Sequence, residues 1–187
     1  EFNASLSSGE VEPSFWSDFP RMSTRRWRRY IRENTEFSAD ETDYTRFGTT
    51  LLAALVTQDL IYLARIGDGN AVVVHRSNKT EKVFGKQQIE DGNITNSLSS
   101  DDASLLWEKK VIHREDCLFI ALFTDGLTDS FENVDEEELI IFVNSLYERI
   151  LEYGPEKISQ LLPSWLCEYS DRGSGDDISL AFTITGE

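Results

Sequence analysis

Cys117-Leu-Phe-Ile-Ala-Leu-Phe-Thr-Asp-Gly-Leu-Thr-Asp129 joins an uninterrupted apolar run of strand length to an aspartate followed at once by glycine. A carboxylate, Asp125, therefore stands at the mouth of a buried strand. A second stretch, Gly175-Asp-Asp-Ile-Ser179, sets an acidic pair before another strand pattern that runs from Ile178 to Ile184. Two such strand ends are expected to bring Asp125 and Asp176 together. Carboxylates at the rim of an apolar core repel each other and lose hydration, so a hard divalent cation is the expected counterweight.

Working outward, 187 residues suffice for one substantial core, and no break in composition asks for two domains. Hydrophobic residues at 40% and charged residues at 28% are ordinary for a soluble globular protein. The balance of 34 acidic against 18 basic residues gives a formal charge of -16, which argues against nucleic acid and anionic membrane as partners. No apolar run approaches a membrane span and no secretory pattern opens the chain, so a cytoplasmic location is expected. The first residue is Glu1 and not methionine, which reads as a processed or excised start. Cys117 and Cys167 lie in apolar strand and helix patterns and are expected to be buried free thiols.

Residues 1–22 read as a loose lead with docking aromatics Phe15, Trp16 and Phe19, ahead of a folded region over 23–187. A helix follows in which Trp27, Tyr30 and Ile31 share one face and Arg25, Arg26, Arg28, Arg29 and Arg32 surround it. That cluster is either a solvated face or a docking site for an acidic or phosphorylated partner. From Gly48 the pattern turns to strands: 48–57, 60–66, 71–76 and 80–84, joined by tight turns, are expected to form an antiparallel meander. Their apolar density asks for cover on both faces, met most simply by sheet packed on sheet with helices outside. Residues 85–101 form a long irregular segment of the sort that often carries function. The Asn-x-Ser/Thr matches at Asn3, Asn78 and Asn93 read as chance, and His113, with only His75 for company, as a surface or strand residue.

Two helices are expected after Asp129. The first starts at an Asp135 cap and buries Leu139, Phe142, Val143, Leu146 and Ile150. The second opens at Pro155 and turns Ile158, Leu161, Leu162, Trp165 and Leu166 inward, with Pro163 expected to kink or split it.

Four aspartates stand at turns beside small residues: Asp68 in Gly-Asp-Gly, Asp125 and Asp129 in Asp-Gly-Leu-Thr-Asp, and Asp176 before the last strand. Oxygen ligands without nearby His or Cys select magnesium or manganese over zinc. Gly48-Thr-Thr50, Ala64-Arg-Ile-Gly-Asp-Gly69, Phe123-Thr-Asp-Gly-Leu-Thr-Asp129 and Gly175-Asp-Asp-Ile-Ser179 occur in an order and spacing that resemble the metal-dependent protein phosphatase 2C family. Asn93 to Leu98 is similar to a loop of its bacterial branch, and the resemblance covers about residues 24–185.

The resemblance implies an α+β fold, a four-layer α/β/β/α sandwich of two antiparallel sheets flanked by helices. It further implies two or three Mn2+ or Mg2+ ions in a cleft. Asp125 and Asp176 would be the catalytic ligands of the central pair, the Gly126 backbone would join the ligand set, and Asp68 and Asp129 with Asp125 would hold a third ion. The implied reaction is hydrolysis of phosphoserine and phosphothreonine in protein substrates by a metal-bridged water, a dephosphorylation step of signalling. Asp177 stands where many members have asparagine, and no Asp-Gly-x-Gly turn precedes Gly48. The family's opening strands are thus expected to be absent from this sequence. A non-catalytic relative that uses the fold for binding stays open as the alternative. An aspartyl-phosphate mechanism through Asp125 would want a second aspartate two positions on, where Leu127 stands.

Overall fold

Strands β1 (Leu51–Val56) and β2 (Leu60–Ile66) pair antiparallel, from Leu51 opposite Ile66 to Val56 opposite Ile61. In this computed structural model, which describes residues 13–35, 43–85, 95–131 and 136–186, β5 (Glu108–His113) joins them in a sheet of order β1-β2-β5. A second sheet has the order β4-β3-β6-β7, from β3 (Asn70–His75), β4 (Thr80–Lys82), β6 (Cys117–Phe123) and β7 (Leu180–Ile184). Every pairing described is antiparallel. With the α-helices of the described residues, α1 (Pro13–Asn34), α2 (Asp125–Asp129), α3 (Glu136–Tyr153) and α4 (Pro155–Arg172), the fold is α+β with two antiparallel sheets flanked by helices.

The expected four-strand meander is not what forms. The chain leaves the first sheet at the end of β2 and enters the second with β3. The switch falls at Gly67, whose φ of 104° lies where a side chain is disfavoured, and where a Cβ would come within 2.2 Å of Thr50 Cγ2. Gly48-Thr-Thr50 and the Gly67 turn are thus packed on each other. Alternating or apolar patterns set each strand locally, whereas the change of sheet is made by a single left-handed glycine.

The chain divides into two compact units, Glu1–Asp68 with Gln87–Val111, and Gly69–Lys86 with Ile112–Glu187, each with its own core. In the first, Trp16 stacks on Phe19 and meets Tyr62, with ring centroids 5.1 Å apart in each case, while Phe19 meets Trp107 edge-on at 5.5 Å. These contacts explain why α1 starts at Pro13, ten residues before the expected helix. The aromatics of the supposed lead belong to one helical face with a core to bury it. Tyr30, expected on the inner face, is exposed.

In the second unit Leu139, Val143, Leu146 and Ile150 of α3 lie on Val72, Phe119 and Ala121, as their helical spacing implies. Helix α4 runs unbroken through Pro163. Pro163 and Ser159, whose carbonyl loses its partner there, both face solvent, so water can replace the missing bond. Leu161 is exposed rather than buried. Cys117 is a buried free thiol and burial pushes its pKa up, whereas Cys167, also free, is exposed. His113 ends β5 exposed, and the Asp135 cap and Asn93 lie outside the described residues. Among the described residues no helix is long and apolar enough to cross a membrane.

One feature of the first unit contradicts the pattern of its strand. Arg65, in the middle of apolar β2, is only 2% exposed, and its Nε and Nη2 donate to Glu108 Oε1 at 3.1 and 2.5 Å. Removing the carboxylate takes two bonds from a desolvated guanidinium, which keeps its other contacts. Because Glu108 is itself 41% exposed, the expected loss for Glu108→Ala is about 2 kcal/mol, below the range for a wholly buried pair. Urea unfolding of the variant against the parent measures it, and an unchanged midpoint would show that Arg65 is carried by other partners.

Candidate metal centre

Strand β6 ends at Phe123, opposite Leu180 of β7, and the ladder is extended beyond its last pair by Thr124. Thr124 N donates to the Ser179 carbonyl at 3.1 Å, Ser179 N donates to Thr124 Oγ1 at 2.9 Å, and that hydroxyl donates to the Asp177 carbonyl at 3.2 Å. The residue just before Asp125 is therefore bound to the residues just after Asp176. Gly126, on the other side of Asp125, approaches the same segment so closely that a Cβ there would stand 2.7 Å from the Asp177 carbonyl oxygen. Only a residue without a side chain permits that approach.

Asp125 opens α2, and its Oδ1 accepts from Gly126 N at 3.0 Å. Asp129 closes the same short helix one turn on and is exposed. Asp176 is exposed as well. Its Oδ1 accepts from Asp177 N at 2.8 Å, and its carbonyl accepts from Ser170 Oγ at 2.7 Å. Asp68 belongs to the other unit, where its Oδ2 accepts from Thr95 Oγ1 at 3.0 Å. The segments carrying Asp125 and Asp176 are thus joined through their backbones, with Asp129 one helical turn from the first. Among the described residues no group of three or more His, Cys, Asp and Glu side chains is gathered as a metal site.

The donor chemistry fits a hard cation in part. Asp125 and Asp176 offer carboxylate oxygens on adjoining backbone, and magnesium or manganese completes its shell with water where protein ligands are few. The Gly126 carbonyl is differently engaged. The hydroxyls of Ser130 and Ser174 lie 2.6 and 3.0 Å from it and 3.0 Å from each other, so in any arrangement of their two protons at least one donates to that carbonyl. Gly126 is thus the gap that admits Asp177, and its carbonyl accepts from at least one serine while a second lone pair stays open to a further ligand.

Sequence reasoning missed that linkage. Ser130 sits four residues after Gly126, one helical turn away, and a Cβ on Gly173 would fall 2.5 Å from the Ser130 Cα and carbonyl oxygen. Ser174 Oγ also accepts from Asp176 N at 3.2 Å. A helix-spaced serine and a Gly-Ser pair were the visible signs, and both are common in turns with no such role.

The model of the family described as protein phosphatase 2C matches residues 2–167 of the chain. A search of curated proteins returns no significant match. Among solved structures, a variant of a bacterial serine phosphatase is similar with a TM-score of 0.61 at 18% identity, covering 95% of this chain and 72% of that one. The serine/threonine phosphatase Stp1 from Staphylococcus aureus gives 0.57 at 18% identity, covering 92% of this chain and 68% of that one. The catalytic domain of the serine/threonine protein phosphatase PstP, in complex with two manganese ions, gives 0.59 at 15% identity, covering 96% and 74%. At such identities these likenesses establish a shared fold.

Gly126→Ala should force the Asp177 carbonyl away from the end of β6. We expect a loss of about 1–3 kcal/mol, the usual cost of overpacking, seen as a lower thermal midpoint. A midpoint equal to that of the parent would mean the two segments are not held this closely in solution.

Proposed function

Because the chain belongs to the protein phosphatase 2C family, we propose that it is a metal-dependent protein serine/threonine phosphatase, acting on phosphoserine and phosphothreonine. The observation that carries the reading is the Thr124 linkage, which joins the backbone beside Asp125 to that beside Asp176. In this reading Asp125 and Asp176 hold Mn2+ or Mg2+, the Gly126 backbone joins the ligand set, and Asp129 serves a further ion. Bound divalent cations would supply an acidified water and neutralise charge on the transferring phosphoryl group. The chain's own part is to hold its carboxylates in place. Thr124 fixes the entry to Asp125, and Ser170 and Ser174 fix the backbone at Asp176. A partner with acidic or phosphorylated groups is also proposed for the helix carrying Arg25 to Arg32.

A binding module that has lost hydrolysis is the second reading. It is favoured by the lack, among the described residues, of a gathered group of three or more metal-ligating side chains.

Hydrolysis of a phosphothreonine peptide, followed during manganese titration, separates the two. We expect activity that saturates with the ion, and a drop of about 100-fold or more with weakened ion binding in Asp125→Ala, at unchanged circular dichroism. Saturable ion binding without hydrolysis, in this chain and in a form extended upstream, would support the binding module. Turnover that Asp125→Ala leaves intact would overturn the assignment of Asp125.

A further inference from the structure

Arg21, Arg25, Arg28 and Arg32 recur at intervals of four, three and four along α1, which places all four guanidinium groups on one helical stripe. The stripe does not face open water throughout. Together with Thr24, Tyr44 and Ser104 it lines a pocket of about 340 Å³, all of whose lining residues lie in the first unit.

Two of the lining residues have a buried donor without a partner among the described residues. Thr24 is 6% exposed, and its Oγ1 has no hydrogen-bond partner there. Arg28 Nε is likewise buried and without a partner among the described residues. A buried hydroxyl or guanidinium N–H left without an acceptor is costly, and native proteins rarely tolerate one unless something else supplies the acceptor. Arg28 is at the same time firmly placed. Its Nη2 donates to the carbonyls of Ser100 and Asp101 at 2.7 and 3.2 Å, and its Cζ stands 5.2 Å from the centroid of the Tyr44 ring. Arg21 is held by Asp18 at 3.0 Å, whereas Arg25 and Arg32 make no ion pair among the described residues. The pocket thus combines fixed donors, an unanswered hydroxyl and two uncommitted cations, in a chain whose net charge is -16.

We propose that this pocket binds the phosphoryl group of a phosphoserine or phosphothreonine peptide, with Arg25 and Arg32 closing over the dianion and the Thr24 side chain turning to offer it the hydroxyl now buried without a partner. A phosphate monoester presents three acceptor oxygens and nearly two negative charges, which matches several convergent donors on one face. A peptide is favoured over nucleic acid because the surplus of acidic residues repels a long polyanion, while a single dianion meets mainly the local arginines. The inference is independent of hydrolysis at Asp125 and Asp176.

The test is isothermal titration of the full chain in EDTA, where no divalent ion is available for hydrolysis. The probes are a phosphoserine pentapeptide, its unphosphorylated form, inorganic phosphate and a short single-stranded RNA. Saturable binding of the phosphopeptide alone is expected, weakened about tenfold or more in Arg25→Gln/Arg32→Gln, the loss of two charge-assisted contacts. Thr24→Val should weaken it several-fold, and Thr24→Ser should restore it. Phosphopeptide affinity unchanged in the double arginine variant would overturn the proposal, as would equal binding of the unphosphorylated peptide. Inorganic phosphate bound as tightly as the peptide, or RNA bound more tightly, would overturn the peptide assignment.

Discussion

A single threonine side chain and its backbone hold together the two segments on which the functional reading depends. Thr124 bonds to Ser179 through backbone and hydroxyl, and to Asp177 through the hydroxyl, so that the ladder between β6 and β7 continues past its last regular pair. The acidic residues next to this clamp, Asp125 on one side and Asp176 on the other, are separated by 51 positions in sequence yet sit on adjoining backbone. Gly126 and Gly173 make room for the approach, and Ser130 and Ser174 lock α2 to the segment that leads into β7. The approach of the two segments is set by these backbone and hydroxyl bonds and not by their acidic side chains.

The two units solve their burial problems differently. The second packs aliphatic stripes of α3 and α4 onto β3 and β6, a core that follows helical spacing except at Leu161. The first relies on aromatic rings from α1, Tyr62 and Trp107, and admits a buried arginine answered by Glu108. Its helix faces two ways. Trp16, Phe19 and Trp27 attach it to the sheet, and the arginine stripe is left to line a pocket.

Much of this was legible in the residues, and what was not has physical causes. Apolar runs marked β2 and β6, and the stripe from Leu139 to Ile150 marked α3, because periodicity is a local property that burial simply reads out. The aspartates stood out for the same reason, Asp68 and Asp125 where an apolar run stops and Asp176 just before one begins. The exchange of sheets at Gly67 was not legible. It depends on Thr50 filling the space where a Cβ would be, a contact between distant positions. Arg65 escaped notice because a charged residue in a strand is normally read as facing water, and its burial rests on a carboxylate 43 positions away. The serine linkage around Gly126 left no sign that distinguished it from turn chemistry. Pro163 misled in the other direction, since its cost falls on the solvent side of α4.

Whether Asp125 and Asp176 meet the same cation, as proposed, is reported directly by paramagnetic broadening of amide signals by sub-stoichiometric Mn2+. Signals of Asp125, Gly126, Asp176 and Asp177 are predicted to fade together at the lowest ion concentration, before those of the helices α3 and α4. Broadening confined to only one of the two segments, or spread evenly over the acidic surface, would contradict it.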